Sequence, residues 1–385
     1  MADQKVTDLT EKTKIEATDM FYGVDVPGGN LDKKYSGQTV SNLTSSGNLI
    51  INGGMDIWQR GTSFATIANG TYVADRFAYE KSGAVVHTVS RDTNVPTVDE
   101  SGSKFNYSLK IDCTTIDSSI EAGDFCVVSQ KIEGYNAKII MGQLVTLSFW
   151  VKATKTGIYC VSFRNSGFDR SYVIEFTINT TLTWEKKTVT FTFNNGSAGT
   201  WDYTTGFGVD ITWVLSCGST FQTTANAWQT GNYLATSNQV NATDSTDNNF
   251  WLTGVQFEAG SIATSFKFRQ YTEELALCQR YYAKTYNINV TPGTATGVGQ
   301  LSGISNGNLN RPIISWNLPV QMRDTPVSTF YSPNTGASGK CYVFGIGDVD
   351  ATSYNPGSSI VSVYASTTVA ANIEVDLHIV VSSEL

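Results

Sequence analysis

Residues 250–286 read FWLTGVQFEAGSIATSFKFRQYTEELALCQRYYAKTY, and the hydrophobic period changes midway through. Phe250, Leu252, Gly254, Gln256 and Glu258 alternate with Trp251, Thr253, Val255 and Phe257, the period-two pattern of a strand. Gly260 breaks it and a short extended piece follows. Gln270–Lys284 then sets Tyr271, Leu275, Cys278 and Tyr282 along one helical face. The chain on either side reads as β. This single helix therefore predicts the passage from one β-domain to another.

Upstream, residues 48–268 form a string of short β runs separated by Gly, Asn, Ser and Thr turns, the mark of an antiparallel sandwich. Val145–Val151, Tyr159–Phe163, Tyr172–Ile178, Lys187–Phe193 and Ile211–Leu215 are the clearest. The period-two runs Val145/Leu147/Phe149/Val151 and Val189/Phe191/Phe193 predict one buried face and one wet one. With Leu49–Ile51 as first strand and Phe250–Phe257 as last, the order fits a jelly roll whose ends lie together. Downstream of the helix (269–286), residues 287–385 supply strands at Ile313–Leu318 and Ile373–Val381, a second β-sandwich domain. In the last strand Glu374, Asp376 and His378 alternate with apolar residues, so His378 is expected in solvent. Residues 1–47 hold two strand candidates, Met20–Val26 and Tyr35–Val40, around the turn Pro27–Asn30. Two strands alone bury too little to stand in water, so this segment needs a partner.

Across 385 residues, 41% are hydrophobic and only 16% charged, enough apolar matter for real cores. The net charge of −8 has no basic stripe, which argues against nucleic acid and against anionic lipid surfaces. No apolar run approaches the ~20 residues of a membrane helix. MADQKVTDLTEKTK at the start lacks the apolar core of a secretory signal, so synthesis in a cytosol is expected. Cys113, Cys126, Cys160, Cys217, Cys278 and Cys341 are scattered without a CxxC pair; free, buried thiols are expected, with no zinc site.

Several of these segments carry a resemblance. NLIINGGMDIWQRG (Asn48–Gly61), YVADRF (Tyr72–Phe77), TGVQFEAG (Thr253–Gly260), ATSFKFR and LCQRYY (Leu277–Tyr282) resemble the two ends of a carbohydrate-binding-like jelly-roll module of bacteriophage tail fibres and other virion appendages. WNLPVQMRDTP (Trp316–Pro326) and the final SSEL resemble the β-domain that follows it. The segment KVTDLTE resembles fibre attachment regions. The resemblance implies a structural virion protein, held to other tail or head proteins through residues 1–47. It further implies self-association as a homotrimer and contact with host surface glycans. Head decoration or an adaptor role through protein contacts alone is one alternative; a polysaccharide-degrading tailspike is the other.

Catalytic motifs are missing. His87 and His378 fall in different domains, and there is no GxSxG, HExxH or Walker loop. Glycoside cleavage needs only two facing carboxylates; Asp202, Asp210, Asp244, Asp247 and Glu258 are candidates, although Asp in such connections is ordinarily a turn former. The loop Asn241–Asn249 is rich in oxygen but lacks the spacing of a calcium loop, so no metal or cofactor is expected. The stronger signal is aromatic residues on loops: Trp201, Asp202 and Tyr203 in one, Trp228 and Tyr233 in another. Flat rings stack on the C–H face of a pyranose while nearby amides and carboxylates bond its hydroxyls. The competing reading is that these rings cap the core or sit between subunits. Trp58, Trp150, Trp184, Trp213 and Trp251 are expected in the core.

Overall fold

The computed structural model describes residues 47–385 apart from 195, 309 and 310, plus a hairpin pairing Met20–Gly23 antiparallel with Lys33–Ser36. The remainder of the expected attachment segment lies outside the described residues. The chain is nearly all β. Its first large unit is an antiparallel sandwich of a seven-stranded and a six-stranded sheet. In the former, Trp228–Thr230, Arg170–Ile178, Gly157–Asn165, Phe207–Cys217, Phe125–Glu133, Phe77–Ser82 and Thr71–Tyr72 lie side by side. The latter runs Glu185–Thr192, Leu144–Ala153, Asn249–Ala259, Ser108–Thr115, Val86–Asp92 and Ser63–Phe64.

Alternation drives the two sheets together. Val145, Leu147, Phe149 and Val151 are fully buried between them, and Phe149 meets Phe176 and Trp213 edge-on at 5.1 and 5.8 Å. Each such side chain contributes about 2–3 kcal/mol of burial. All five tryptophans expected in the core are buried, as are all six thiols, which are free. The second face of Leu144–Ala153 is not wet as its alternation predicted. Thr146, Ser148, Trp150 and Lys152 are buried too: the chain after Gly260 folds back at one end, where Thr146 Oγ1 donates to Gly260 O at 2.8 Å, and Trp184 and Trp251 cover Lys152 at the other. Glu185–Thr192, an outer strand, does keep one exposed face.

A polar group sits inside this apolar core. His87 is 1% exposed and shares a 2.7 Å hydrogen bond between Nδ1 and the Tyr79 hydroxyl. Burial, with the charge of Lys81, pushes its pKa down to about 4 from 6.5. The unfolded chain thus takes up this proton first. The stabilisation is complete above pH 6.5 and is lost as pH falls towards 4, at about 1.4 kcal/mol per pH unit and about 3 kcal/mol in all. Urea titrations from pH 7 to 4 are expected to show a slope that flattens by that amount in His87→Gln.

Leu49–Ile51 is no strand. Residues 48–61 instead form a knot in which side chains serve the backbone. Asn48 Nδ2 donates to Val255 O at 2.9 Å and its Oδ1 accepts from Phe257 N at 3.0 Å. Asn52 Nδ2 donates to Ile57 O and Asp75 O, and Gln130 exchanges two bonds with the backbone of Ile51. The knot fills a bulge in the last strand, where register shifts between Thr253 and Gln256 and Gly254 takes φ 60°, a conformation that suits glycine. The two ends of the sandwich thus lie together, as a jelly roll requires.

The helix is shorter than its periodicity predicted, covering Tyr271–Gln279. Tyr282–Lys284 is instead a strand on Glu374–Ser382, pairing Tyr282 with Ser382 and Lys284 with Val380. A helix would put only one of two adjacent tyrosines on its buried face, whereas Tyr281 and Tyr282 are 0% and 6% exposed. The turn at Tyr281 and the strand that starts at Tyr282 send the two rings into different clusters, Tyr281 under the Arg76 guanidinium and Tyr282 under that of Arg60, each 3.6 Å from ring centre to Cζ.

That pair belongs to a buried polar seam between the two β-units. Glu133 accepts from Arg280 Nε at 2.9 Å, Arg280 NH2 at 2.5 Å and the Tyr281 hydroxyl at 2.7 Å. Glu384 pairs with Arg60 at 2.8 Å and with Arg76. Arg323 donates to Ser383 O and to Thr205 O, both at 2.7 Å. Lys284 donates to the carbonyls of Gln59, Ile288 and Val290.

Beyond the seam, strands wrap a second core that includes Phe330, Val343, Val361, Val363, Leu377 and Ile379. Glu374–Ser382 is its hub, pairing with Leu301–Ile304, Val327–Tyr331 and Lys340–Val343. His378 on this strand is not in solvent. It is 0% exposed, stacked on Tyr286 at 3.7 Å, with Nε2 bonded to Thr296 O at 2.8 Å, because the 285–296 segment covers what alternation marked as the outer face.

Candidate functional site

Trp201 stands on a loop as expected, whereas Trp228 opens the short strand Trp228–Thr230 instead of lying in a connection, yet their ring centres come within 5.8 Å at 70°. Trp228–Thr230 is the last strand of one sheet and Glu185–Thr192 the last of the other, so this is the open edge of the sandwich. Trp228 Nε1 donates across it to Thr192 O at 3.3 Å. Phe193 lies edge-on to both indoles, at 5.4 and 5.7 Å. Tyr172, stacked on Phe191 at 4.4 Å, extends the row. The rings close the edge, and both indoles remain half-buried.

The loop bearing Trp201 is pinned. Asp169 accepts from Thr200 N at 3.0 Å and from its hydroxyl at 2.9 Å, Asn165 Nδ2 donates to Thr200 O at 2.8 Å, and Trp201 Nε1 donates to Ala198 O at 2.8 Å. Both indole N–H groups are thus satisfied by the chain's own carbonyls. What the edge offers outward is ring surface. Asp202 closes a local turn, accepting from Thr204 N at 2.6 Å, and Tyr203 is 39% exposed. Tyr233 does not join them. It packs with Phe125 and Phe221 against a small cluster formed by Val127, Cys160 and Leu234, on the outer side of the seven-stranded sheet, because its amide is drawn to Ser171 Oγ at 2.9 Å.

The candidate carboxylates are dispersed in structural work. Asp210 is fully buried and paired with Arg164 NH2 at 2.5 Å. Glu258 accepts from Gln256 Nε2 at 2.8 Å and Thr264 N at 2.9 Å. Asp244 pairs with Lys155 and holds Asn248 Nδ2 at 2.9 Å, which ties up the oxygen-rich loop. Among the described residues, none of the five carboxylates is hydrogen-bonded to another.

The sequence reading passed over a cavity of about 370 Å³ beside the knot. Its walls come from the knot (Asp56), from strand ends (Arg91, Tyr107) and from the chain entering the helix (Phe266, Phe268, Tyr271). The one signal for it was SFKFRQY, where apolar residues alternate past the end of a strand. Phe268 and Tyr271 are 48% and 52% exposed. Burial raises the Asp56 carboxyl above its ordinary value, against hydrogen bonding from Asn106 and the charge of Arg91, which lower it.

No protein-family model matches the chain, and a search of curated proteins gives no match. Among solved structures, it is similar to the enzymatically active domain of tailspike protein 4 of Bacteriophage CBA120, with 14% identity, a TM-score of 0.29, and coverage of 51% of this chain but 21% of the other. A CBM4 structure aligns at 14% identity and TM-score 0.29, over 54% of this chain and 97% of its own. The family 11 carbohydrate-binding module of Clostridium thermocellum, in complex with a β-1,3-1,4-mixed-linked tetrasaccharide, aligns at 8% identity and TM-score 0.27, over 53% and 99%.

Proposed function

We propose that this chain is a structural component of a bacteriophage virion, a tail fibre or related appendage, which contacts host surface glycans through the Trp201–Trp228 edge. Residues 1–47 attach it to other virion proteins, and it works as a homotrimer. The observation that carries the glycan contact is the indole pair, preset by a pinned loop and a terminal strand, with both N–H groups already bonded within the chain. A ring edge of this kind binds a pyranose face without leaving a buried donor unpaired. Preset geometry also spares the entropy of ordering a loop on binding. The dispersal of the candidate carboxylates favours binding over cleavage.

Trp201→Ala is expected to weaken binding of the full chain to host surface polysaccharide about tenfold, the worth of one stacked ring. Retained affinity in a folded Trp201→Ala protein, measured on an array of host-cell glycans, would sink the reading. The virion assignment has its own test, locating the protein in a density map of the intact particle. A particle in which residues 1–47 contact no other virion protein would overturn it.

One observation favours a second reading, an adaptor or decoration with protein contacts only. Phe344 and Ile346, together on the turn that joins Lys340–Val343 to Gly347–Tyr354, are 66% and 63% exposed, and neighbouring apolar side chains on that scale are covered at protein interfaces. A map with these residues buried against another virion protein, and the indole edge facing no solvent, would establish it.

A further inference from the structure

We propose that the cavity between Asp56 and Tyr271 is a second binding site, and that its ligand is a single neutral sugar ring. It lies towards the opposite side of the six-stranded sheet from the indole edge and does not depend on it. Two charged groups make the case. Asp56 Oδ1 accepts from Asn106 Nδ2 at 3.1 Å, while the second carboxylate oxygen meets no donor among the described residues. Arg91 lies with Cζ 4.3 Å over the Tyr107 ring, and its guanidinium makes no hydrogen bond or ion pair among the described residues. The two charges line one cavity and interact through space, yet do not bridge. An acceptor and a donor that share a cavity without closing on each other leave room for a group between them.

The walls specify what that group is. Phe268 is wedged from behind by Phe266 and Phe105, at 4.7 and 5.4 Å, so nearly half its surface is presented to solvent on a fixed support. Tyr271, at the start of the helix, is exposed beside it. Rings held open against water around a carboxylate and a guanidinium fit a molecule with one apolar face and a rim of hydroxyls. Charges in the lining cancel, Asp56 and Glu274 against Arg91 and Arg269, with Glu274 and Arg269 already paired at 3.0 Å; a charged ligand would leave one of them uncompensated. A cavity of about 370 Å³ sits at the small end of the ~300–1,000 Å³ range of ligand pockets, which limits the occupant to a small unit and not a long chain.

The test uses the full chain and the methyl glycosides of glucose, galactose, mannose and N-acetylglucosamine, by saturation-transfer NMR with titration. At least one is expected to bind in the millimolar range. Its affinity should fall about tenfold in Phe268→Ala and in Asp56→Asn, both partly solvent-facing changes that leave the fold intact, and stay unchanged in Trp201→Ala. Loss in Trp201→Ala alone would assign the signal to the indole edge and overturn this site. Absence of binding by all four glycosides, or displacement of the bound glycoside by choline, would overturn the neutral-sugar assignment.

Discussion

Arg76→Ala is expected to cost about 3 kcal/mol and to divide the thermal unfolding of the chain into two transitions. The guanidinium is 1% exposed and does three things at once. It pairs with Glu384, donates from NH2 to Lys131 O at 2.7 Å, and lies flat on Tyr281. Removing one partner of a buried pair typically costs about 3–5 kcal/mol; the lower end applies because Glu384 keeps Arg60 at 2.8 Å. The chain already bears strain for this placement, since Arg76 takes φ 73°, a region that residues with a Cβ enter reluctantly. Arg76→Lys should not rescue, because an ammonium cannot fork between a carboxylate and a carbonyl while stacking on a ring. Two transitions follow because the two units have separate cores, and loss of this pair leaves them joined by the small apolar cluster of Ile51, Ile57, Cys278 and Tyr281 and the remaining polar contacts. Calorimetry showing one transition at an unchanged midpoint would place the coupling elsewhere.

Local patterns in the sequence made some features of the fold legible and left others hidden. Val145–Val151 and Phe250–Phe257 announced themselves because a strand's period is local, and both lie inside the strands Leu144–Ala153 and Asn249–Ala259. What alternation could not say is what covers the other face. The second face of Leu144–Ala153 is buried by the chain after Gly260 and by Trp184 and Trp251, and His378 by the 285–296 segment. The helix ended early for a related reason: Tyr282 and Lys284 have a helical period in sequence but a strand partner in space, and tertiary pairing overrides a weak local preference. Trp201 was legible as an aromatic residue on a loop, while Trp228, read the same way, opens an edge strand. That they bolt the open edge depends on which strands come last in each sheet, which no local pattern records. Asp56, Arg91 and Tyr271 line one cavity from three distant segments, so no spacing rule reaches it.

Gly53→Ala is expected to destabilise the sandwich by about 3 kcal/mol or more, at the upper end of overpacking, while Gly54→Ala costs under about 1 kcal/mol. A Cβ at position 53 would stand 2.1 Å from the carbonyl oxygen of Val255. That oxygen cannot swing aside, since it accepts from Asn48 Nδ2 at 2.9 Å and Val255 N donates to Gly53 O at 2.9 Å. At position 54 the nearest atoms are a side-chain oxygen of Asp56 at 3.1 Å and the Phe266 ring at 3.8 Å, which can give way. Neither glycine has a positive φ, so the contrast isolates space from conformation. Denaturant midpoints of the two variants decide it. If both fall equally, the turn itself is what the pair of glycines protects. A fall confined to Gly53→Ala means that NLIINGG and TGVQFEAG, some two hundred residues apart in the chain, depend, besides the Asn48 hydrogen bonds, on a backbone approach that only a missing side chain permits.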